Sequence, residues 1–249
     1  MIRIKSKYEV ELMRRAGRIA GMALLAGGRA VRPGTTTKAI NAAVHAAIEE
    51  AGATPSFLHY NGFPASACIS VNDEVIHGIP GDRIIHEGDI VSIDVGACYK
   101  GYHGDCANTF GAGEISDEAK RLIEVTRQSF YEGIKFARGG QRISDVSHAI
   151  QQTAEEAGFH VVREYVGHGV GAHLHEEPEV PNYGSPGRGV RLMPGMTIAI
   201  EPMINYSTKS IKVLKDGWTV ITADGGLSAH YENSVLITDG EPELLTLVE

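Results

Sequence analysis

Four acidic residues lie in or beside apolar segments that are typical of buried β-strands. Asp94 interrupts the run Val-Ser-Ile-Asp-Val-Gly-Ala, Glu201 follows Thr-Ile-Ala-Ile, and Glu232 precedes Asn-Ser-Val-Leu-Ile. Asp105 lies in Gly-Tyr-His-Gly-Asp-Cys, just past a turn. A buried carboxylate is costly unless it is paired, and these segments contain no Lys or Arg. A metal centre accounts for all four acids most economically.

Asp94 and Asp105 lie in a segment, residues 88–110, that predicts two strands around a Tyr-Lys-Gly turn. In such a hairpin both carboxylates point to one face, directly opposed or diagonal, about 5–8 Å apart. Two carboxylates this close need a shared proton or a cation. The alternative is that one of them caps a turn.

The segment Gly-His-Gly-Val-Gly-Ala-His-Leu-His-Glu-Glu-Pro adds three histidines. His168 lies between glycines, which indicates a close approach to the backbone. His173 and His175 share a face if the chain is extended, and the spacing of all three histidines also suits a metal site in a loop. The alternative for any one of them is a surface histidine.

Oxygen-rich sites with one imidazole suit Mn²⁺, Fe²⁺, Co²⁺ or Zn²⁺. The four carboxylates neutralise two such ions. Two metals that share a water lower its pKa and polarise a carbonyl group. These residues therefore predict a hydrolase.

Helical and extended patterns alternate along the whole chain without a linker or repeat. This favours one α+β domain, residues 1–249. Because the predicted strands are joined by hairpins wherever a turn can be recognised, a largely antiparallel sheet is expected. Helices are predicted from a Ser6–Glu9 capping box to about residues 27–28, from residues 35–37 to Gly52, within 115–140 with Asp117 as its cap, and from Ser144 to Gly158. A loop is predicted over 53–66, and strands over 67–71 and near 160–165, 197–201, 211–213, 218–222, 230–237 and 243–247.

Composition excludes several classes of protein. The formal net charge of −8 argues against a general nucleic-acid binder, including a DNA-binding protein. Three cysteines without a Cys-x-x-Cys pair support neither a disulfide framework nor a zinc knuckle, so a reducing cytoplasm is expected. The charged N-terminus is unlike a secretory signal. No apolar run approaches the roughly 18 residues of a membrane span.

The motifs GHGVGAHLHEEP, IEPM, IDVGACYKGYHGD, KDGWT and YENS together resemble those of the type I methionine aminopeptidases. The resemblance runs from about residue 5 to the C-terminus and matches the short bacterial-style form. It implies a monomer with the pita-bread fold, a curved and mostly antiparallel sheet flanked by helices. It also implies removal of the N-terminal methionine from nascent proteins whose second residue is small. Two divalent ions, Co, Mn, Fe or Zn, would hold a bridging water that attacks the scissile carbonyl.

The resemblance also assigns roles to individual residues. Asp94 would chelate one metal, Asp105 and Glu232 would bridge the pair, and His168 and Glu201 would complete the second metal. The catalytic residues it implies are His77 at the scissile amide, His175 at the carbonyl oxygen and Glu201 for deprotonating the water. The substrate-binding residues are Tyr60, Phe63, Cys68 and Trp218 in the methionine pocket, together with His77 and His175.

The sequence departs from the family pattern at four positions. Cys106 follows the second aspartate where Ser or Thr is common, and it is expected to point away from the metals as a small buried residue. His230 and Asn233 flank Glu232 in place of Gln and His, which bears on metal preference. Leu174 stands where an aromatic residue is common, which bears on the shape of the pocket.

Two alternative functions use the same fold. One is a peptidase of the Xaa-Pro kind with the same five ligands, although such enzymes usually carry a large N-terminal domain. The other is a non-catalytic relative that binds RNA or protein, although such relatives lose ligands and often gain basic tails. The cluster Lys209, Lys212 and Lys215 is interpreted as a solvated strand face, and the family suggests transient ribosome contact as the alternative.

Overall fold

The computed structural model describes residues 1–248. The helices of this part are α1 (Lys7–Ala30), α2 (Thr37–Glu50), α3 (Asp117–Ile134) and α4 (Ile143–Glu156). The strands are β1 (Thr54–Pro55), β2 (Ala67–Val71), β3 (Glu74–Ile76), β4 (Ile90–Tyr99), β5 (Tyr102–Gly111), β6 (His160–Val161), β7 (Gly167–Gly169), β8 (Glu176–Val180), β9 (Thr197–Ile200), β10 (Met203–Asn205), β11 (Ile211–Val213), β12 (Val220–Thr222), β13 (Ser228–His230), β14 (Glu232–Leu236) and β15 (Glu243–Leu244).

A nine-stranded sheet forms the centre of the molecule, in the order β1-β4-β5-β14-β9-β7-β8. In addition, β2 pairs with β4 and β15 pairs with β14. Two small sheets, β13-β10-β6 and β11-β12-β3, complete the fold. All of these described pairings are antiparallel. The prediction of an α+β fold with a mostly antiparallel sheet is confirmed.

Local side chains set the beginnings of the first two helices as predicted. The Ser6 side chain accepts from the Glu9 N–H, and the Glu9 carboxylate accepts from the Ser6 N–H at 2.8 Å. This reciprocal capping box fixes the start of α1. The Thr36 hydroxyl caps α2 by accepting from the Ala39 N–H.

The predicted caps of the other two helices were wrong by a residue or two. Ser116 rather than Asp117 caps α3, because its hydroxyl accepts from the Ala119 N–H, and the helix ends at Ile134 rather than at residue 140. At the start of α4, the Asp145 carboxylate accepts from the Arg142 N–H at 2.8 Å.

Ser144 was predicted to cap α4 but lies inside the helix. Its hydroxyl donates to the Arg188 carbonyl at 2.8 Å instead. The predicted strand 160–165 shrinks to β6, and the predicted strand 230–237 divides into β13 and β14. The short strands β1, β3, β7, β8 and β10 had no counterpart in the prediction, and β1 lies within the predicted loop 53–66.

The helices cover one face of the central sheet. Ile93 and Val95 of β4 share a buried cluster with Ile19 of α1 and Ile40 of α2. Farther along the same face, residues of β9 and β14 pack with α3 and α4. Because side chains alternate along a strand, Asp94 faces the opposite side. The sheet therefore separates an apolar helical layer from a face that is free to carry polar groups.

Gly104 lets α1 lie directly on the sheet. A Cβ atom at this position of β5 would lie 2.5 Å from the Gly17 Cα atom of α1. No side chain fits that separation, so the contact requires glycine. The close contact fixes the height of α1 above β5. No helix within residues 1–248 is long and apolar enough to cross a membrane.

Candidate metal centre

The acidic residues and His168 come from five strands that are adjacent in the central sheet. Across the order β4-β5-β14-β9-β7, they are Asp94, Asp105, Glu232, Glu201 directly after β9, and His168. Strand order therefore brings together residues that are up to 138 positions apart in sequence, from Asp94 to Glu232.

Asp94 and Asp105 lie diagonally across the β4–β5 hairpin. Asp94 pairs with Ala107, and Asp105 pairs with Gly96. Both carboxylates point to the same face, as predicted, and the directly opposed arrangement is excluded. Both residues lie inside strands, so the turn-capping alternative is also excluded.

His168 presents one ring nitrogen to the carboxylates. Its Nδ1 lies 2.8 Å from the Gly169 carbonyl oxygen. A carbonyl oxygen can only accept, so Nδ1 carries the hydrogen and Nε2 carries the lone pair. Nε2 lies 3.5 Å from Glu201 Oε1 and 3.7 Å from Asp105 Oδ2. This is how a protein prepares an imidazole to bind a metal.

The glycines beside His168 accommodate neighbouring backbone. A Cβ atom at Gly167 would lie 2.3 Å from the Ala199 oxygen of β9, and one at Gly169 would lie 2.3 Å from the Glu177 oxygen of β8. The close approach predicted from these glycines therefore comes from the two adjacent strands. It clamps β7, and with it His168, between them.

The donor set of the cluster fits a divalent cation. Asp94 Oδ1, Asp105 Oδ1 and Glu232 Oε1 are buried and have no hydrogen-bond partner among the described residues. Ligand atoms of Asp105, His168 and Glu232 all lie within 4.8 Å of one another. Buried acceptors without donors are costly, and a bound cation would satisfy them.

Burial and mutual repulsion shift the charges of this cluster. Desolvation raises the pKa of Asp94 to about 7. Desolvation, together with the neighbouring carboxylates, raises the pKa values of Asp105, Glu201 and Glu232 well above their usual range. Burial lowers the pKa of His168 to about 3, which keeps its imidazole neutral. A divalent ion bound here would supply positive charge and lower the pKa values of the carboxyl groups. The neutral imidazole is the form of histidine that binds a metal.

One cavity of about 220 Å³ opens onto the cluster. It is lined by every residue to which the family resemblance assigned a role: Tyr60, Phe63, Cys68, His77, Asp94, Asp105, His168, His175, Glu201, Trp218 and Glu232. His173 is exposed and is not part of this lining. Residues 171–175 bend rather than extend, so His173 and His175 do not share a face.

His77 and His175 bring two neutral imidazoles into the cavity. His77 has a left-handed backbone, with φ of 58°, and burial lowers its pKa to about 4. His175 is exposed at the mouth, yet desolvation of its ring lowers its pKa. The His175 ring centroid lies 4.1 Å from that of His168. Its Nδ1 lies 2.8 Å from the Tyr60 hydroxyl, which holds the ring in place.

Another part of the cavity lining is apolar. Phe63 packs edge-on against Trp218, with ring centroids 5.2 Å apart, and both belong to a cluster with Cys68 and Leu174. Asp216 fixes the backbone at Trp218, because its Oδ1 accepts from the Trp218 backbone N–H at 2.8 Å. The cavity therefore combines an apolar surface with the carboxylates in one lining.

Sequence reasoning missed several lining residues: Phe57, Asn61, Ile76, Tyr165 and Val166. Tyr165 and Val166 directly precede the Gly-His-Gly motif, and this adjacency is the signal that could have found them. Tyr165 contacts the His77 ring edge-on at a centroid distance of 5.5 Å.

The four departures from the family pattern have structural counterparts. Cys106 is buried in the core on the helical side of the sheet, as expected. Leu174 is buried in the apolar wall. His230 is buried, with Nε2 3.9 Å from Glu232 Oε2 and without a hydrogen-bond partner in residues 1–248. Asn233 Oδ1 accepts from the Thr246 hydroxyl at 2.7 Å.

Comparison with known proteins defines the class. The model of metallopeptidase family M24 matches residues 11–239, and the chain belongs to this family. A methionine aminopeptidase of Clostridium perfringens is 54% identical over 249 residues and is covered completely, as is this chain. The chain is a member of the methionine aminopeptidase group of metal-dependent peptidases.

Solved structures confirm the pita-bread fold. The crystal structure of a methionine aminopeptidase from Thermotoga maritima is similar with a TM-score of 0.98, 45% identity and complete coverage of both chains. A prolidase from Pyrococcus furiosus is similar with a TM-score of 0.80 and 25% identity, covering 99% of this chain and 66% of the prolidase. Because a methionine aminopeptidase and a prolidase share this fold, the fold does not determine the substrate, and the residues of the site do.

Proposed function

We propose that the chain is a single-domain aminopeptidase that removes the N-terminal methionine of nascent polypeptides whose second residue is small. The observation that carries this proposal is one cavity with two unlike walls. Carboxylates that lack a counter-charge form one wall, and the apolar cluster of Phe63, Cys68 and Trp218 forms the other. A metal-dependent peptidase of this family requires both a cation site and a place for the first side chain.

The residues that would hold the cations are Asp94, Asp105, His168, Glu201 and Glu232. Four carboxylates carry enough charge to neutralise two divalent ions, and oxygen ligands with one imidazole suit Mn²⁺, Fe²⁺, Co²⁺ or Zn²⁺. When bound, two such ions supply Lewis acidity and lower the pKa of a nucleophilic water. The neutral His168 supplies its free Nε2 lone pair.

Glu201 is proposed as the base that accepts the proton of the attacking water. Its Oε1 lies 3.5 Å from His168 Nε2 at the edge of the carboxylate cluster. Desolvation raises its pKa well above the usual range in the metal-free protein. A bound cation would oppose this shift and keep the carboxylate ionised, so that it can accept a proton. The same carboxyl group can then return the proton to the departing amine.

His175 and His77 are proposed to bind the peptide bond that is cleaved. Both rings are neutral at pH 7, because desolvation lowers their pKa values. We assign the Tyr60 hydroxyl as the donor to His175 Nδ1, 2.8 Å away, which places the ring hydrogen on Nε2. That N–H donates to the carbonyl oxygen as negative charge develops. His77, on the far side, contacts the amide.

The apolar wall is proposed to bind the methionine side chain. An unbranched thioether adapts to irregular apolar surfaces and makes favourable contacts with ring edges. Phe63 and Trp218 meet edge to face and offer such edges. His77 and His175 stand beside the scissile bond, and the crowding they cause favours a small second residue.

A peptide series tests the choice of substrate. Specificity constants are measured for Met-Ala, Met-Gly, Met-Leu and Met-Lys peptides with Mn²⁺ present, alongside a chelator-treated control and an Ala-Pro peptide. We expect efficient cleavage of the Met-Ala and Met-Gly peptides and poor cleavage of the other two. Equal rates across the Met series would refute the narrow second-residue site. Preferred cleavage before proline would favour the prolidase-like alternative.

A further inference from the structure

A buried ion pair links the start of the chain to the loop that carries His175. Lys5 Nζ lies 2.8 Å from Glu176 Oε2, and the two side chains are only 4% and 5% exposed. Lysine rarely buries its ammonium group unless it is paired. Burying both charges costs desolvation, which only good geometry offsets. A pair of this kind constrains the positions of the segments that carry it.

Glu176 uses its second oxygen to brace the loop. Glu176 begins β8 directly after His175, and its Oε1 accepts from the His173 N–H at 3.1 Å. Gly171 donates its N–H to the His173 carbonyl at 3.0 Å. One carboxylate thus holds the loop to β8, while Lys5 fixes that carboxylate.

The ion pair is closely packed against Gly171, and the backbone of each partner is held by hydrogen bonds. A Cβ atom at Gly171 would lie 2.6 Å from Glu176 Oε1 and 2.7 Å from Lys5 Cε. The Lys5 N–H donates to the Gly195 carbonyl at 2.8 Å, so its backbone is anchored as well. Glu176 pairs with Gly169, the neighbour of His168, across β7 and β8.

We propose that Lys5 is a positioning residue that acts through Glu176 on His175. The proposal rests on the proposed function, in which the His175 imidazole donates to the substrate carbonyl. Such a donor works only when it is held close to its productive geometry. Without the ion pair the side chain at position 176 loses its anchor, so the loop that it braces can move and the His175 ring is no longer held between His168 and Tyr60. Turnover then falls, whereas the metal ligands, which lie on other strands, keep their places.

The test removes both charges together, so that no unpaired charge stays buried. In the variant Lys5→Met/Glu176→Gln, the glutamine oxygen still accepts from the His173 N–H. We expect kcat per folded molecule to fall about tenfold or more, with KM changed less than about twofold and metal content unchanged. The matched control is Arg14→Met/Glu243→Gln. In that pair, Arg14 Nε of α1 lies 2.7 Å from Glu243 Oε1 of β15. The two side chains are 42% and 38% exposed, and neither lines the cavity.

Two further measurements separate positioning from a merely structural role. In a His175→Ala background, the Lys5→Met/Glu176→Gln change should cause no further loss of kcat. The nuclear magnetic resonance signals of the His175 ring, assigned by their absence in His175→Ala, should shift in the test variant and not in the control. This second readout needs no peptide hydrolysis, so it stands even if the proposed substrate is wrong.

Unchanged kcat per folded molecule, an additive loss in the His175→Ala background, or unshifted His175 signals would overturn the proposal. If the double variant does not fold, Glu176→Gln alone replaces it. Lys5 can then redirect its flexible stem toward water, and the same loss of kcat and the same shift of the His175 signals are expected. Wild-type kcat and ring shifts in that variant would equally overturn the proposal.

Discussion

A single hydrogen bond determines what His168 can do. Because its Nδ1 donates to the Gly169 carbonyl, its Nε2 faces Glu201 and Asp105 with a free lone pair. We expect His168→Ala and Glu201→Ala each to abolish hydrolysis while the chain stays folded. His173→Ala is the matched control, since this exposed histidine is outside the cavity lining. Turnover under limiting metal, with circular dichroism for folding, is the measurement. Near-wild-type turnover of either ligand variant would contradict the assignment.

His175 is expected to act on the transition state. Removing one such donor typically costs about 3–4 kcal/mol, or about 100- to 1,000-fold in rate. We expect His175→Ala to lower kcat by about this factor, with metal content and substrate binding little changed. Turnover and metal stoichiometry are measured on the same sample. No loss of rate would make His175 a surface residue, and loss of bound metal would make it a ligand.

Charged residues of the site could be identified from sequence because an acid inside an apolar strand is costly wherever it lies. Asp94 and Asp105 show this. The predicted hairpin also placed their two side chains on the same face of the sheet, as the strand register shows. Phe57 and Ile76 could not be identified, because an apolar side chain in a cavity wall has the same pattern as one in the core. The bend of the chain at residues 171–175, which separates His173 from His175, lies among contacts that are non-local in sequence, such as that of the His103 N–H with the Gly171 carbonyl.

Among the elements, the contact between α1 and β5 leaves no room for a side chain at Gly104. A Cβ atom at Gly104 would overlap the Gly17 backbone, which cannot move aside as a flexible side chain could. We expect Gly104→Ala to lower the free energy of unfolding by about 1–3 kcal/mol. Urea denaturation measures this change.

Gly240→Ala is the control for that substitution. Nothing lies within 4 Å of a Cβ atom at Gly240, so its effect should stay within about 0.5 kcal/mol. Equal stability of the Gly104→Ala variant and the wild type would show that α1 can shift on the sheet without cost.

Helices proved easier to predict than short strands, and the reason is local chemistry. The beginnings of α1 and α2 depend on Ser6 and Thr36, which bond to residues three positions away. By contrast, β7 and β10 have three residues each, too few to show an alternation. Their existence depends on pairing partners that are distant in sequence.

For the whole molecule, the four carboxylates link stability to pH and to metal. In the metal-free protein their folded pKa values exceed those of the unfolded chain. The folded state therefore binds more protons, and its stability falls as pH rises. Asp94 contributes this loss between about pH 4 and its pKa of about 7, and the other three carboxylates extend it higher.

Histidines oppose this trend only at lower pH. The lowered pKa values of His168 and His230, about 3 each, make stability rise up to about pH 6.5. Above that pH these rings are neutral in both states. We expect the free energy of unfolding of the metal-free protein to fall between pH 6.5 and 8. Each carboxyl group that is protonated in the folded state and ionised in the unfolded state contributes a fall of about 1.4 kcal/mol per pH unit. Denaturation at each pH, with and without Mn²⁺, measures this. A rise over this range in the metal-free protein would contradict it.

The order of strands in the central sheet was beyond sequence reasoning. The neighbours β5, β14, β9 and β7 are far from consecutive in the chain, and only the completed sheet places Glu232 between Asp105 and Glu201. The recognisable hairpin turns predicted an antiparallel sheet, whereas the pairing of distant strands depends on the packing of the complete molecule.

The central claim is that peptide hydrolysis depends on divalent cations held by this cluster. Its most direct test is calorimetric titration of the metal-stripped protein with Mn²⁺, with turnover of a Met-Ala peptide followed on the same samples, for the wild type and for Asp105→Asn. The metal-free wild type is expected to show no hydrolysis, and its activity is expected to rise as up to two ions bind per chain. In the Asp105→Asn variant, both metal binding and hydrolysis are expected to be lost. Hydrolysis by the metal-free protein, or wild-type binding and turnover in Asp105→Asn, would contradict the claim.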